Sequence, residues 1–195
     1  MRELEEIRWH ARGGQGAVTA SKLLAEMALT RNMYFQAFPE YGPERMGAPI
    51  QCFNRLSARP ISIYTSVSDP NVVVVVDPTL IGVVDVTEGL TPDGVVLVNT
   101  PAAPQEVASQ LGLSSDRVYT VDATAISMTT LGRAMPNIPM LGALVKILDL
   151  MPLDEALAYV RESFGKRFSA KVTEGNLAAL ERAYKEVKSS EMGCA

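Results

Sequence analysis

The chain has 195 residues, 47% hydrophobic and 21% charged, with a formal net charge of −4. That length suits one domain with a substantial core, taken as spanning 1–195, and the acidic balance argues against a nucleic-acid partner. One histidine and two distant cysteines, Cys52 and Cys194, cannot supply four ligands to a zinc or iron–sulfur centre.

Residues 6–11 read as a first strand. Arg12-Gly13-Gly14-Gln15-Gly16 interrupts it, and a helix over 17–30 follows, with Ala20, Leu23, Leu24, Met27 and Ala28 on one face. A short aromatic strand is expected over 33–38. The stretch 39–49 holds Pro39, Pro43, Pro49, Gly42 and Gly47 and reads as a long irregular loop. Residues 50–56 and 61–66 alternate in polarity and are expected to form an antiparallel hairpin across Ser57-Ala58-Arg59-Pro60. Val72 to Val76 reads as a strand buried on both faces, as in a parallel sheet. A short helix over 79–84, a turn at Thr91-Pro92-Asp93-Gly94 and a strand over 95–98 come next. Then follow a helix over 104–111, a strand over 117–121 and a helix over 123–132. Met135 to Met140 reads as a second proline-bearing loop, before helices over 140–150, 153–164 and 173–188. This order predicts an α/β three-layer domain with a mixed, mostly parallel sheet and a glycine-rich strand-to-helix loop.

That loop is the leading candidate site. Glycines let a backbone approach a ligand closely, and the free N–H groups of a helix's first turn favour phosphate or carboxylate. The spacing departs from a dinucleotide fingerprint, because Gly14-x-Gly16-x-x-Thr19 lacks the last glycine. It fails as a Walker loop, because Ser21-Lys22 stands in reverse order. A tight turn without a ligand stays open as an alternative. So does plain capping by Thr19 and a solvated role for Lys22, which otherwise reaches back toward a phosphate. His10 has no nucleophile or orienting partner in the sequence and reads as a satisfied structural histidine. Cys52 reads as a small buried hydrophobe, and Met46, Met135 and Met140 as residues marking an interface. Arg45 and Tyr41 make the 39–49 loop a candidate ligand- or partner-contacting segment. No self-sufficient catalytic set is visible. The charged N-terminal stretch has no apolar signal core, and no run approaches the ~20 apolar residues of a membrane span. A cytoplasmic location without membrane contact is expected.

Three motifs in order then resemble a known family. They are Gly13-Gly14-Gln15-Gly16 with Thr19-Ala20, then Phe38-Pro39-Glu40-Tyr41-Gly42-Pro43-Glu44-Arg45 with Gly47-Ala48-Pro49, and Asn137-Ile138-Pro139-Met140-Leu141-Gly142-Ala143. From about residue 6 to 187 the chain resembles the gamma subunits of 2-oxoacid:ferredoxin oxidoreductases, most closely those of the pyruvate enzymes. The resemblance implies oxidative decarboxylation of a 2-oxoacid with coenzyme A, giving acyl-CoA, carbon dioxide and reduced ferredoxin. It places thiamine diphosphate and magnesium in alpha and beta subunits, and iron–sulfur clusters in beta and ferredoxin-like delta subunits. It also implies a complex that itself dimerises, activity only in that complex, and ferredoxin as electron acceptor. The residues it carries over to a shared coenzyme A site are Gly13, Gly14, Gln15, Gly16, Thr19, Lys22, Arg45, Gly47, Arg133 and Asn137. Fused relatives carry a basic pair where this chain has Glu44-Arg45, so only Arg45 carries over there. A stand-alone Rossmann-like nucleotide-binding protein and a purely structural subunit are the alternatives.

Overall fold

The computed structural model describes residues 3–40 and 47–190. Strand β1 (Leu4–Arg12) turns Ile7, Trp9 and Ala11 to one face of the sheet. Arg8 and His10 therefore lie on the other. Helix α1 (Ala17–Thr30) covers the first face with the apolar stripe that its spacing predicts. Next come β2 (Tyr34–Glu40), β3 (Pro49–Ser57) and β4 (Val72–Val75). They are followed by β5 (Val95–Asn99), α2 (Pro104–Leu111) and β6 (Val118–Val121). Four helices finish the described chain: α3 (Ala123–Leu131), α4 (Asn137–Leu148), α5 (Leu153–Gly165) and α6 (Ala170–Glu186).

The strands lie in the order β2-β3-β1-β4-β5-β6. β3 is antiparallel to both of its neighbours and the other three pairs are parallel, so β3 alone runs against the rest. The sheet is thus mixed and mostly parallel, as the element order predicts. Alternation along β4 divides the core. Val72, Val74 and Val76 pack into the layer built by α1, α4, α5 and α6. Val73 and Val75 pack with Leu80, Val86, Val107 and Ala108 on the opposite face. Helix α4 is apolar nearly all round because it is buried from Asn137 through Val145. Gly142 lets it approach α6 closely: a Cβ there would stand 2.4 Å from the Leu180 carbonyl oxygen.

One buried polar side chain fixes α1 on the sheet. Asn54 accepts from Trp9 Nε1 at 2.9 Å and donates to the Ser21 carbonyl at 2.9 Å, joining β3, β1 and α1. On the far face, the buried Arg55 guanidinium pairs with Glu6 at 2.7 Å and donates to Gln36 at 3.1 Å.

Several elements depart from the sequence reading. No strand forms over 61–66, and the expected hairpin is absent. Both edges of β3 are already taken, by β1 and β2. The 61–66 segment instead crosses the sheet, where its Ile63 carbonyl accepts from Gln36 and its Ser66 carbonyl from Arg55. The loop expected over 39–49 gives way to strand at both of its ends, and its residues 41–46 lie outside the described residues. Pro39 and Glu40 finish β2, an edge strand where proline's missing N–H does little harm, and Pro49 starts β3. The short helix expected over 79–84 is one 3-10 turn, Pro78–Leu80, capped by Asp77. The second proline loop ends early, because α4 starts at Asn137 and holds Pro139 in its first turn, where no N–H is needed. The last helix starts at Ala170, with Ser169 accepting from the Val172 N–H. Met140 is wholly buried in the core and marks no interface.

Candidate functional site

The glycine loop leaves β1 beside Ala48 and Gly47. The Gly13 N–H donates to the Ala48 carbonyl at 3.0 Å, and the Gly47 N–H to the Gly13 carbonyl at 3.3 Å. Gln15 turns inward: its Nε2 donates to Asp77 Oδ2 at 2.7 Å, while its Oε1 accepts from the Arg12 N–H at 2.8 Å. Arg12 completes this brace, 3.3 Å from Asp77 and donating to Thr79 and to the Gly47 carbonyl. Burial works against the Asp77 charge, but hydrogen bonds from Thr79 and Gln15 and the Arg12 charge hold its carboxyl below the usual range. The loop is therefore pinned between the ends of β1 and β4, where the chain's crossovers diverge to opposite sides. That is where open α/β sheets hold ligands.

Gly16, at φ +78°, is the N-cap of α1, and no side chain caps the helix. A cleft of about 450 Å³ opens beside it. It is lined by Gly14, Gly16, Thr19, Lys22, Leu23 and Glu26, by Arg133, Met135, Asn137 and Ile138, and by Phe164, Arg167, Phe168, Val172 and Asn176. Six of the ten residues singled out in the sequence thus meet in one place: Gly14, Gly16, Thr19, Lys22, Arg133 and Asn137. Gly13, Gln15 and Gly47 do not line it; they brace the loop from behind. Arg45, with Tyr41 and Met46, lies outside the described residues. Arg167 and Phe168 escaped the sequence reading, and the only signal for them was an i, i+4 phenylalanine pair running past a helix end.

Three features give this cleft its chemistry. Most basic side chains among the described residues have partners, as in Arg31 with Glu155, Arg161 with Glu174, Lys166 with Glu162 and Arg182 with Glu186. Among the described residues, the side chains of Lys22, Arg133, Arg167 and Lys171 have neither a hydrogen bond nor an ion pair, and the first three line the cleft. The first turn of α1 adds N–H groups and the positive end of a helix dipole. Asn137 is only 6% exposed. Its Nδ2 donates to the Gly16 carbonyl across a long 3.4 Å, while its buried Oδ1 meets no donor among the described residues. A buried acceptor left in this state is costly.

The remaining candidates fall outside the cleft. His10 is buried and accepts from Arg8 Nε at 3.1 Å; burial and the Arg8 charge lower it to about 4. Cys52 is buried in the core, which raises its thiol to about 12. Among the described residues no group of three or more His, Cys, Asp or Glu could hold a metal ion. No described helix is long and apolar enough to cross a membrane.

Residues 6–186 match the family described as pyruvate ferredoxin/flavodoxin oxidoreductase. The pyruvate synthase subunit PorC of Thermotoga maritima is 46% identical over 186 residues, which cover 95% of this chain and 96% of PorC. The crystal structure of the pyruvate oxidoreductase subunit PORC from that organism matches with a TM-score of 0.83 and 42% identity, covering 97% of this chain and 99% of that one. The pyruvate/ketoisovalerate oxidoreductases common subunit gamma of Pyrococcus abyssi is 42% identical, over 96% of this chain and 99% of its own length. The fold also recurs, with a TM-score of 0.77 and 16% identity, in 2-oxoglutarate:ferredoxin oxidoreductase from Magnetococcus marinus, solved with 2-oxoglutarate, coenzyme A and succinyl-CoA bound. There it covers 97% of this chain and 32% of that larger one. By a family match that spans nearly the whole sequence, the chain belongs to the pyruvate ferredoxin/flavodoxin oxidoreductase family.

Proposed function

We propose that the chain is the gamma-type subunit of a multisubunit pyruvate:ferredoxin oxidoreductase, and that its cleft holds coenzyme A. The complex would convert pyruvate and coenzyme A to acetyl-CoA and carbon dioxide and pass electrons to ferredoxin. Thiamine diphosphate, magnesium and the iron–sulfur clusters belong, on this reading, to alpha, beta and delta partners. The ligands that such clusters need are scarce in this chain. The observation that carries the coenzyme A reading is the convergence of three unpaired cations, an uncapped helix end and an unmet buried acceptor in one cleft. A polyanion with hydroxyl and amide groups answers all three. A relative named as the common subunit of pyruvate and ketoisovalerate oxidoreductases supports a role that does not select the 2-oxoacid.

The test uses the assembled enzyme with Lys22→Ala and Arg133→Ala. A hydrogen bond to a charged group contributes about 1.5–3 kcal/mol, so each variant should raise the KM for coenzyme A at least tenfold. The KM for pyruvate and the thiamine diphosphate content should stay unchanged. An unchanged KM for coenzyme A in both variants would leave these loops a purely structural role in seating the partner chains.

A further inference from the structure

Among the described residues β2 pairs only with β3, and so forms one edge of the sheet. An unpaired edge offers its backbone N–H and C=O groups to any strand that reaches it, and natural edges are blunted by lysines, bulges or prolines. The β2–β3 register runs from Tyr34 to Glu40 without a bulge. The one blunting residue, Pro39, stands opposite Cys52, toward the glycine-loop end. The other end carries Tyr34 and Phe35, both exposed.

A second strand-like stretch lies beside that edge. Residues 61–66 alternate like a strand, yet their N–H groups find no backbone partner among the described residues. The segment is held through its carbonyls instead. That of Ile63 accepts from Gln36 at 2.8 Å, and that of Ser66 from Arg55 at 3.3 Å. Tyr34 shares the Gln36 face of β2 by the alternation of a strand. Tyr34, Ile63 and Tyr64 are therefore on one side of the sheet; Tyr34 is 49% exposed and Tyr64 88%. Residues 32–39 and 60–68 hold no charged side chain, although 21% of the chain is charged. Loss of charge with gain of Tyr and Phe is the composition of an interface core.

Two occupants fit poorly. The chain's own stretch 41–46 leaves from Glu40 and returns at Gly47, which bonds Gly13, so both of its ends are tied to the glycine-loop end of the sheet. A second copy pairing β2 with β2 about a two-fold axis would run antiparallel. Over the full strand that sets Tyr34 of one copy opposite Glu40 of the other, an apolar end against a carboxylate.

We infer that this surface takes an extended, uncharged segment of another subunit, added as a strand to the outer edge of β2 and packed on Tyr34, Ile63 and Tyr64. The inference rests on the subunit reading above. None of these residues lines the cleft, so assembly and coenzyme A binding are separable.

The test compares the full chain, free and in the assembled complex. Backbone amides of β2 and of 61–66 should exchange about tenfold more slowly in the complex. Tyr34→Lys and Tyr64→Lys alter exposed side chains, so the free variants should keep Tm within about 2 °C of the natural chain. Each should weaken assembly about tenfold or more, while Tyr64→Phe assembles normally. Enzyme that does assemble should keep its KM for coenzyme A. Unchanged exchange in the complex, or normal assembly of both lysine variants, would overturn the inference and leave the subunit reading standing. A free chain that dimerises in sedimentation, and loses the dimer in Tyr64→Lys, would give the surface to a second copy and overturn it as well. A natural chain that assembles with no thiamine diphosphate-binding partner would overturn both.

Discussion

Gly16 joins the glycine loop to the opposite wall of the cleft, and Gly16→Ala measures how firmly. Its backbone stands at φ +78°, ψ 17°, a left-handed conformation that costs an L side chain about 1–2 kcal/mol. The added Cβ would also lie 2.6 Å from Asn137 Nδ2 and 2.9 Å from its Cγ. Asn137 cannot swing aside freely, because it is buried in the first turn of a helix that is itself buried. Overpacking of that kind costs roughly 1–3 kcal/mol. Together the two effects predict a loss of about 2–5 kcal/mol, which for a chain of this size lowers Tm by roughly 4–20 °C. Gly112→Ala is the control. It shares a left-handed backbone, at φ +66°, but nothing stands within 4 Å of its Cβ. Calorimetry of the purified chain should therefore show a larger loss for Gly16→Ala than for Gly112→Ala, and the assembled Gly16→Ala enzyme should bind coenzyme A more weakly. Equal Tm losses in the two variants, with a wild-type KM for coenzyme A, would refute the coupling between the loop and Asn137.

Two further outcomes follow from the core. His10 is held near 4 in the fold, against about 6.5 in an unfolded chain, so unfolding takes up a proton between those values and stability falls as pH drops through that window, by an amount on the order of 3 kcal/mol. His10→Gln keeps an acceptor for Arg8 without titrating, so its urea midpoint should fall less between pH 7 and pH 4.5 than that of the natural chain; equal falls would contradict this account. Gly142→Ala forces a Cβ against the α6 backbone, 2.4 Å from the Leu180 carbonyl oxygen, and should cost at least 2 kcal/mol by overpacking; a Tm within 2 °C of the natural chain would show that α4 and α6 separate freely.

The sequence carried the fold wherever local pattern and tertiary demand agree. The valine run of β4 has no polar side to offer, and it is buried on both faces. The i, i+4 stripe of α1 is the face that meets the sheet. The reading failed where pairing depended on distant strands. Residues 61–66 alternate like a strand, but β3 is claimed on both edges by strands that come earlier in the chain. The site was legible to the same degree. Glycines at a strand–helix junction mark a candidate anion site by themselves, and the residues that line the cleft beside it give no such local signal. Arg133, Asn137, Arg167 and Phe168 come together only because α4, α5 and α6 fold back across α1. Gln15 shows the same limit. Its partner Asp77 lies 62 positions away, and no local pattern tells an inward glutamine from one facing a ligand.

The side chains that line the cleft bear on the division of labour proposed for the chain. Attack by a coenzyme's thiol needs a nearby acid, base or electron acceptor. Among the described residues, His10 is buried behind the sheet and Cys52 in the core, while the cleft's own carboxylate, Glu26, already accepts from the Tyr159 hydroxyl and Lys22 is a cation at the loop end. What the cleft provides is grip: cations, a helix end and an aromatic face. A cleft of about 450 Å³ is modest for a ligand site, so a long coenzyme must leave it at one end. On the coenzyme A reading the phosphates are gripped here, and the thiol that reacts lies at the far end of a long arm. Binding energy taken up at such a distance can serve to position the reacting group rather than to alter it. That is the contribution expected of a subunit whose partners hold the redox and decarboxylating groups.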